Sequence, residues 1–240
     1  MNIDELKAEL TQLKDEKYHL LKLINHDIRS PFNRIFALLQ LFEMENGETS
    51  IQQKEYIDSM YFSILSGLEM IQNLRDMREI DAGHVVAEKS EVDLAQLLQK
   101  SMRSFSKQVE LKRIKINTDI NLTDLSLETD EYYFQRVIEN VLSNAIKFSK
   151  HGKEVNVKIT RSKNDIEITI QDFGEGIKPD EEHLLYQKFK KLSSIASGGE
   201  GSLGLGLHNT AFFLDQLKGK INLKRTQDQG STFVIQVPVH

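Results

Sequence analysis

Asn140, Asn144 and Lys147 stand at i, i+4 and i+7, a spacing that sets two amides and an ammonium on one face of a helix while Val137, Val141, Leu142 and Ala145 can pack inward. Amide oxygens suit a hard, partly hydrated cation such as Mg²⁺, and a lysine beside them suits phosphate. The same pattern also describes an ordinary solvated helix face. Asp172-Phe173-Gly174-Glu175-Gly176-Ile177 follows a stretch that alternates at period two. Glycines two apart let the backbone approach a ligand closely, and a carboxylate at a strand end can accept a hydrogen bond from an exocyclic amine. Its plain alternative is a turn that happens to contain an aspartate. Gly198 to Leu207 begins with five glycines in nine positions and leads into a helix. It offers backbone N–H groups and a helix N-terminus to phosphate oxygens, or it is only a flexible loop. A phosphate loop of the G-x-x-x-x-G-K-S type is absent, as is a dinucleotide fingerprint after the first strand.

His26 is one of seven histidines. Ile24 and Ile28 fall on an apolar seam, and at about 100° per residue His26 is turned roughly 160–200° away from them, toward solvent. An exposed imidazole followed by Asp27 can act as a nucleophile whose second nitrogen is oriented by the carboxylate. It can equally be a surface residue. Pro31 lacks an N–H and crowds the carbonyl of Asp27, which predicts a kink one turn beyond the histidine.

These residues need elements to hold them. Ile3, Leu6, Leu10, Leu13, Leu20 and Ile24 recur at threes and fours, broken only at Lys17, as in a coiled-coil seam. The period continues through Ile28, Ile35, Leu39 and Phe42, predicting one helix to about Glu45. Asn46 to Ser50 reads as a turn. A second helix, from about Ile51 to Ile80, carries Ile57, Ile64, Leu68, Ile71 and Leu74 on one face. Such a hairpin buries too little to stand alone, and two copies would make a four-helix bundle. The expected dimer seam is Ile24, Ile28, Ile35, Ile64, Leu68 and Ile71.

After residue 85 the pattern changes. A helix is expected over Asp93 to Lys112, then an alternating Ile114, Ile116, Thr118, Ile120, then a helix over 131–149. Val155-Val157-Ile159 and Ile166-Ile168-Ile170 alternate around the turn Lys163-Asn164-Asp165, a hairpin signal. A helix from about Leu203 to Lys218 and strands Lys220–Thr226 and Thr232–Val237 complete an α/β sandwich, one mixed sheet with helices on one face.

Composition agrees with two domains. Residues 1–85 hold nine basic and 15 acidic side chains, whereas 86–240 hold 22 and 21; 11 of the 13 glycines follow residue 80. The formal net charge of −5 argues against nonspecific nucleic-acid binding. With no cysteine there is no disulfide, thiol nucleophile or Cys-ligated zinc, and a reducing cytoplasm is the default. Ile35 to Phe42, the longest apolar stretch, is too short to span a bilayer, and no signal peptide is present.

In order and spacing, these segments resemble the catalytic core of two-component sensor histidine kinases over residues 15–240. His26-Asp27-Ile28-Arg29-Ser30-Pro31-Phe32 is similar to the phosphoacceptor box, Asn140 to Lys147 to the N box, and Asp172 to Gly176 to the first glycine box. Lys188-Phe189-Lys190-Lys191-Leu192 is similar to the F box, and Gly204-Leu205-Gly206-Leu207 to the second glycine box. Ser202-Leu203 departs from the Gly-Thr usual before the latter. Ser30 replaces the Thr or Asn common at the position linked to dephosphorylating the partner, although a hydroxyl remains.

The resemblance implies a coiled-coil linker (1–14), a dimerisation and histidine phosphotransfer domain (15–82) and a Bergerat-type ATP-binding domain (88–240). His26 would be the phosphoacceptor and Asp27 the base that orients or activates it. Asn144 would bind Mg²⁺ with support from Asn140, and Lys147 would contact phosphate. Asp172 would recognise the adenine amine; Gly174, Gly176, Ile177, Gly201, Gly204, Leu205 and Gly206 would shape the pocket and lid, and Phe189 would anchor the lid. The lid, residues 191–203, would be mobile without ATP. The implied partners are a second copy of the chain, a response-regulator receiver domain and a sensor region upstream, with no nucleic acid and no membrane contact within these residues. The implied location is the cytoplasm, or the cytoplasmic part of a membrane-bound parent. Two rivals remain: a nucleotide-binding but inactive signalling scaffold, and a Bergerat-fold ATPase that would need a water-activating carboxylate, for which Glu139 is the neighbour of Asn140.

Overall fold

The computed structural model describes residues 32–44, 50–120, 125–194, 196–198, 200–225 and 230–239. The seam before residue 32, with His26, Asp27, Ser30, Ile24 and Ile28, lies outside the described residues, as does most of the expected turn at 46–50. The chain divides into two compact units, Met1–His84 and Val85–His240.

In the first unit, residues 32–44 are helical (α1) and α2 spans Ile51–Asp81. Ser50 starts α2 with a capping box: its hydroxyl accepts from Gln53 N at 3.2 Å while its own N–H donates to Gln53 Oε1 at 2.8 Å. Tyr61 is fully buried, its ring edge-on to Phe36 at 5.5 Å and its hydroxyl donating to Glu43 Oε2 at 2.8 Å. Phe32 packs so closely on Gly67 that a Cβ there would meet its ring at 2.4 Å. Ile57, Ile64 and Ile71 are buried within the single chain, so they belong to the hairpin's own core. Of the expected seam Ile35 stays exposed, and the other large apolar side chains exposed on the described parts of the two helices are Leu38, Leu41, Phe42 and Met44 of α1 and Ile51, Tyr56 and Met60 of α2.

The second unit has a five-stranded sheet in the order β2-β4-β5-β7-β6 and a two-stranded ribbon of β1 (Ser90–Asp93) with β3 (Ser126–Thr129). The strands are β2 (Lys115–Ile120), β4 (Glu154–Arg161), β5 (Asp165–Gln171), β6 (Lys220–Arg225) and β7 (Ser231–Pro238). Only β2 and β4 run parallel. One face of the sheet is buried through Val155, Val157, Ile159, Ile166, Ile168, Ile170, Phe233, Ile235 and Val237. Against it lie the helical layers, with α5 (Glu131–Phe148) between α3 (Leu94–Ser104) and α6 (Gly206–Gln216).

Two expectations are corrected here, and one element was not foreseen. The helix expected over Asp93–Lys112 is two, because the chain breaks at Phe105 (φ −102°, ψ 8°) into α3 and α4 (Ser106–Lys112). The β1–β3 ribbon had no periodic signal, each strand being four residues long. And α6 begins at Gly206 rather than Leu203, because Gly204 sits at φ +69°.

Candidate functional site

α5 carries the amide face. It starts at Asp130, whose carboxylate accepts from Tyr133 N at 2.9 Å and from Glu88 N at 2.9 Å, and its apolar side is fixed by Phe134, Val137, Ile138, Val141 and Leu142. That packing determines where 140, 144 and 147 point. Asn144 is half-buried and makes no hydrogen bond among the described residues. Asn140 is buried and engaged elsewhere: Nδ2 donates to Gly206 O and to Thr210 Oγ1, both at 3.2 Å, and Arg136 Nη2 reaches Oδ1 at 3.5 Å. Its amide ties α5 to the first turn of α6 instead of standing open beside Asn144.

The C-terminal turn of α5 is where the other motifs converge. Phe173 N donates to Ser149 Oγ at 3.2 Å, which brings the Asp172 turn onto the end of the helix. Ser197 N and Oγ reach Lys147 O at 3.2 and 3.4 Å, and Ser197 Oγ also donates to Ser149 O. The Lys147 ammonium donates to Gly201 O. The N-box face, the first glycine turn and the glycine-rich segment thus meet at one place.

Asp172 directly follows β5, with only 4% of its surface exposed. Its Oδ1 accepts from Gly174 N at 2.9 Å and Ser231 N at 3.1 Å, and the Ser231 side chain also hydrogen-bonds the carboxylate. Burial raises its pKa to about 6, against the lowering effect of those hydrogen bonds. Gly230, at φ +81°, is what allows this: a Cβ there would lie 2.1 Å from Asp172 O. Gly176 and Ile177 continue the turn, half-buried.

Around the second glycine box, Gly204 O accepts from Phe189 N at 3.0 Å, and a Cβ on Gly204 would meet Lys190 O at 2.3 Å. Leu205 is buried in the core at the start of α6 and Gly206 opens the helix. Phe189, at φ +62°, has a ring 58% exposed, so the link it makes to the Gly204 segment is through its backbone and not through a buried ring. Nor is the segment before Gly204 without burial: Glu200 pairs at 2.8 Å with Lys112, which is fully buried. Lys112 and Ser149 lie outside every motif, and Ser197 and Glu200 fall within the glycine-rich lid segment without a type or spacing that gives them a task.

Among the described residues no three His, Asp or Glu side chains gather in a metal-binding group. Asn144, an oxygen ligand without a hydrogen-bond partner among the described residues, fits a Mg²⁺ ion held mainly by phosphate oxygens and water. Glu139 is paired with Arg136 at 2.7 Å and Gln135 at 2.6 Å, which occupies both carboxylate oxygens and leaves it poorly suited to activate water.

Residues 16–83 match the His Kinase A (phospho-acceptor) domain, and residues 129–240 match the histidine kinase-, DNA gyrase B- and HSP90-like ATPase family. The heme sensor protein HssS of Staphylococcus saprophyticus is 27% identical over 232 residues, covering 97% of this chain and 49% of HssS. The circadian input-output histidine kinase CikA of Synechococcus elongatus is 27% identical over 225 residues, covering 92% of this chain and 30% of CikA. The chain thus spans half or less of the length of these relatives. Full-length ShkA, crystallised with AMPPNP, superposes with a TM-score of 0.63 at 20% identity, covering 92% of this chain and 45% of ShkA, which shows a shared fold.

Proposed function

Because the chain belongs to the sensor histidine kinases by both of its domains, we propose that it binds Mg-ATP in the second unit, phosphorylates His26 and passes the phosphoryl group to an aspartate of a response-regulator receiver domain. The observation that carries this reading is the convergence on the last turn of α5. There the buried Asp172 carboxylate, Asn144 with no hydrogen bond among the described residues, and the Lys147 ammonium lie on segments bonded to one another.

Asp172 Oδ2 would accept the adenine amine, while Lys147 and the N–H groups following Gly201 would take phosphate oxygens. Asn144 would ligate Mg²⁺, whose charge offsets that of the phosphates and of the leaving ADP. A His26 ring nitrogen attacks the γ-phosphorus as the bond to the β-phosphate oxygen breaks. Asp27 accepts a hydrogen bond from the other nitrogen and stabilises the cationic ring. Such transfer depends mostly on positioning and charge neutralisation. Ser30 keeps a hydroxyl four residues after the histidine in sequence, where it would position the water that removes the phosphoryl group from the response regulator's aspartate.

A homodimer follows from the first unit. Ile35, Leu38, Leu41, Phe42 and Met60 form the exposed apolar surface that a second copy would cover. No helix among the described residues is long and apolar enough to cross a membrane; a sensor region upstream and a cytoplasmic setting complete the proposal.

The test is a calorimetric titration with ATP, with and without Mg²⁺. Asn144→Ala should lose the Mg²⁺-dependent part of the affinity and retain adenosine binding. Unchanged Mg²⁺ dependence would remove Asn144 from the metal site.

A further inference from the structure

Lys112, the last residue of α4, has no exposed surface. A lysine ammonium has three donors, and here each has an acceptor: Ile146 O at 2.8 Å, Lys147 O at 2.6 Å and Glu200 Oε1 at 2.8 Å. Burial drives its pKa down and Glu200 acts in the opposite direction. The second Glu200 oxygen accepts from Gly198 N at 2.9 Å. One residue further on, the Gly201 carbonyl sits on the Lys147 ammonium. The two contacts are therefore linked through a single peptide, with the end of α5 between them. A carbonyl oxygen takes one of the three lysine donors for which a phosphate oxygen would compete.

We propose that Glu200 is a positioning residue whose ion pair with Lys112 holds the Gly201 carbonyl on the Lys147 ammonium, so that nucleotide phosphates compete with that carbonyl for Lys147. This rests on the reading of Lys147 as a phosphate contact. Contacts made only in the capped state lower the apparent affinity for whatever needs the uncapped one, by the fraction of molecules uncapped. Lys112 keeps its bonds to the two α5 carbonyls when Glu200 is gone, so the helix end that carries Lys147 stays in place. Glu200 therefore acts on when Lys147 is available, not on where it is.

The experiment titrates the whole chain with ATP and with adenosine, in the parent, Glu200→Ala, Lys147→Gln and the double variant, and follows amide exchange at Gly201 and Ser202 without nucleotide. Glu200→Ala should tighten ATP roughly tenfold, the scale of one charge-assisted hydrogen bond. Adenosine affinity should not change, which also reports an intact pocket, and exchange at Gly201 and Ser202 should accelerate. In the Lys147→Gln background the same change should leave ATP affinity unaltered. ATP affinity equal to or weaker than the parent's in Glu200→Ala, or an equal gain for adenosine, overturns the proposal. If Lys147→Gln binds ATP as the parent does, the phosphate role of Lys147 fails and the proposal with it. If Lys147→Gln weakens ATP while Glu200→Ala changes nothing, only the role of Glu200 fails.

Discussion

In the second unit Val157, Ile168 and Ile235 lie between sheet and helices with almost no surface left to solvent, whereas in the first Leu38, Leu41 and Met60 keep about half of theirs. The sheet is wide enough, with three helical neighbours, to close a core inside one chain. A two-helix hairpin can close only its inner stripe, here Ile57, Tyr61, Ile64 and Ile71. Its outer apolar residues are those that the proposed second copy would cover. One unit is built to fold around a small molecule, and the other to be completed by association.

That contrast breaks most sharply at paired truncations. Ile168→Ala should cost the chain about 2–5 kcal/mol in denaturant unfolding, because a sealed core cannot collapse around the lost atoms. Leu38→Ala should change the unfolding of isolated chains by no more than about 0.5 kcal/mol, and should instead shift sedimentation toward monomer. Equal stability losses at the two sites would remove the distinction between the units.

Within the second unit, Asp172 sets stability against function. Its pKa in the folded chain, about 6, lies above its ordinary value, so the folded state holds the proton more tightly than the unfolded one. The stability this contributes is present below about pH 4 and is lost as pH rises through 6. Asp172→Asn keeps an acceptor for Gly174 N and Ser231 N and removes the buried charge. It should raise the nucleotide-free stability at pH 7 by up to about 3 kcal/mol, flatten the stability profile between pH 4 and 6, and weaken ATP binding. In the parent, ATP should bind more tightly as pH rises through 6, since only the ionised carboxylate offers Oδ2 as an acceptor to the adenine amine. An unaltered ATP affinity in Asp172→Asn would remove the carboxylate from base recognition.

The smallest effect belongs to the hairpin. Ser50→Ala removes one half of the capping box and should lower the stability of the first unit by about 1 kcal/mol, read from its helical signal, while ATP affinity stays at the parent value.

The sequence made some of this legible and hid the rest for physical reasons. Period-two alternation revealed β4 and β5 because the sheet has one buried face, and the i, i+4, i+7 spacing revealed the polar face of α5. The inner and outer stripes of the hairpin could not be told apart, because both are apolar at helical spacing and only packing decides that Ile64 turns inward and Leu38 outward. Asn140 shared a face with Asn144, yet contact with α6, 66 residues away in sequence, gave it another task. Lys112 and Glu200 carried no signal, since a buried ion pair between a helix end and a glycine-rich loop obeys no period. Phe189 was expected to anchor the lid, and its backbone N–H bonds the Gly204 carbonyl.

The central claim is that His26 receives the γ-phosphoryl group of ATP. The most direct measurement incubates the parent chain and a His26→Ala variant with γ-labelled Mg-ATP and tests the label on the protein for acid lability. The proposed function predicts acid-labile, alkali-stable label on the parent and none on the variant, with both chains binding ATP alike. Label of the same stability on His26→Ala, or none on a parent chain that binds Mg-ATP, would contradict it.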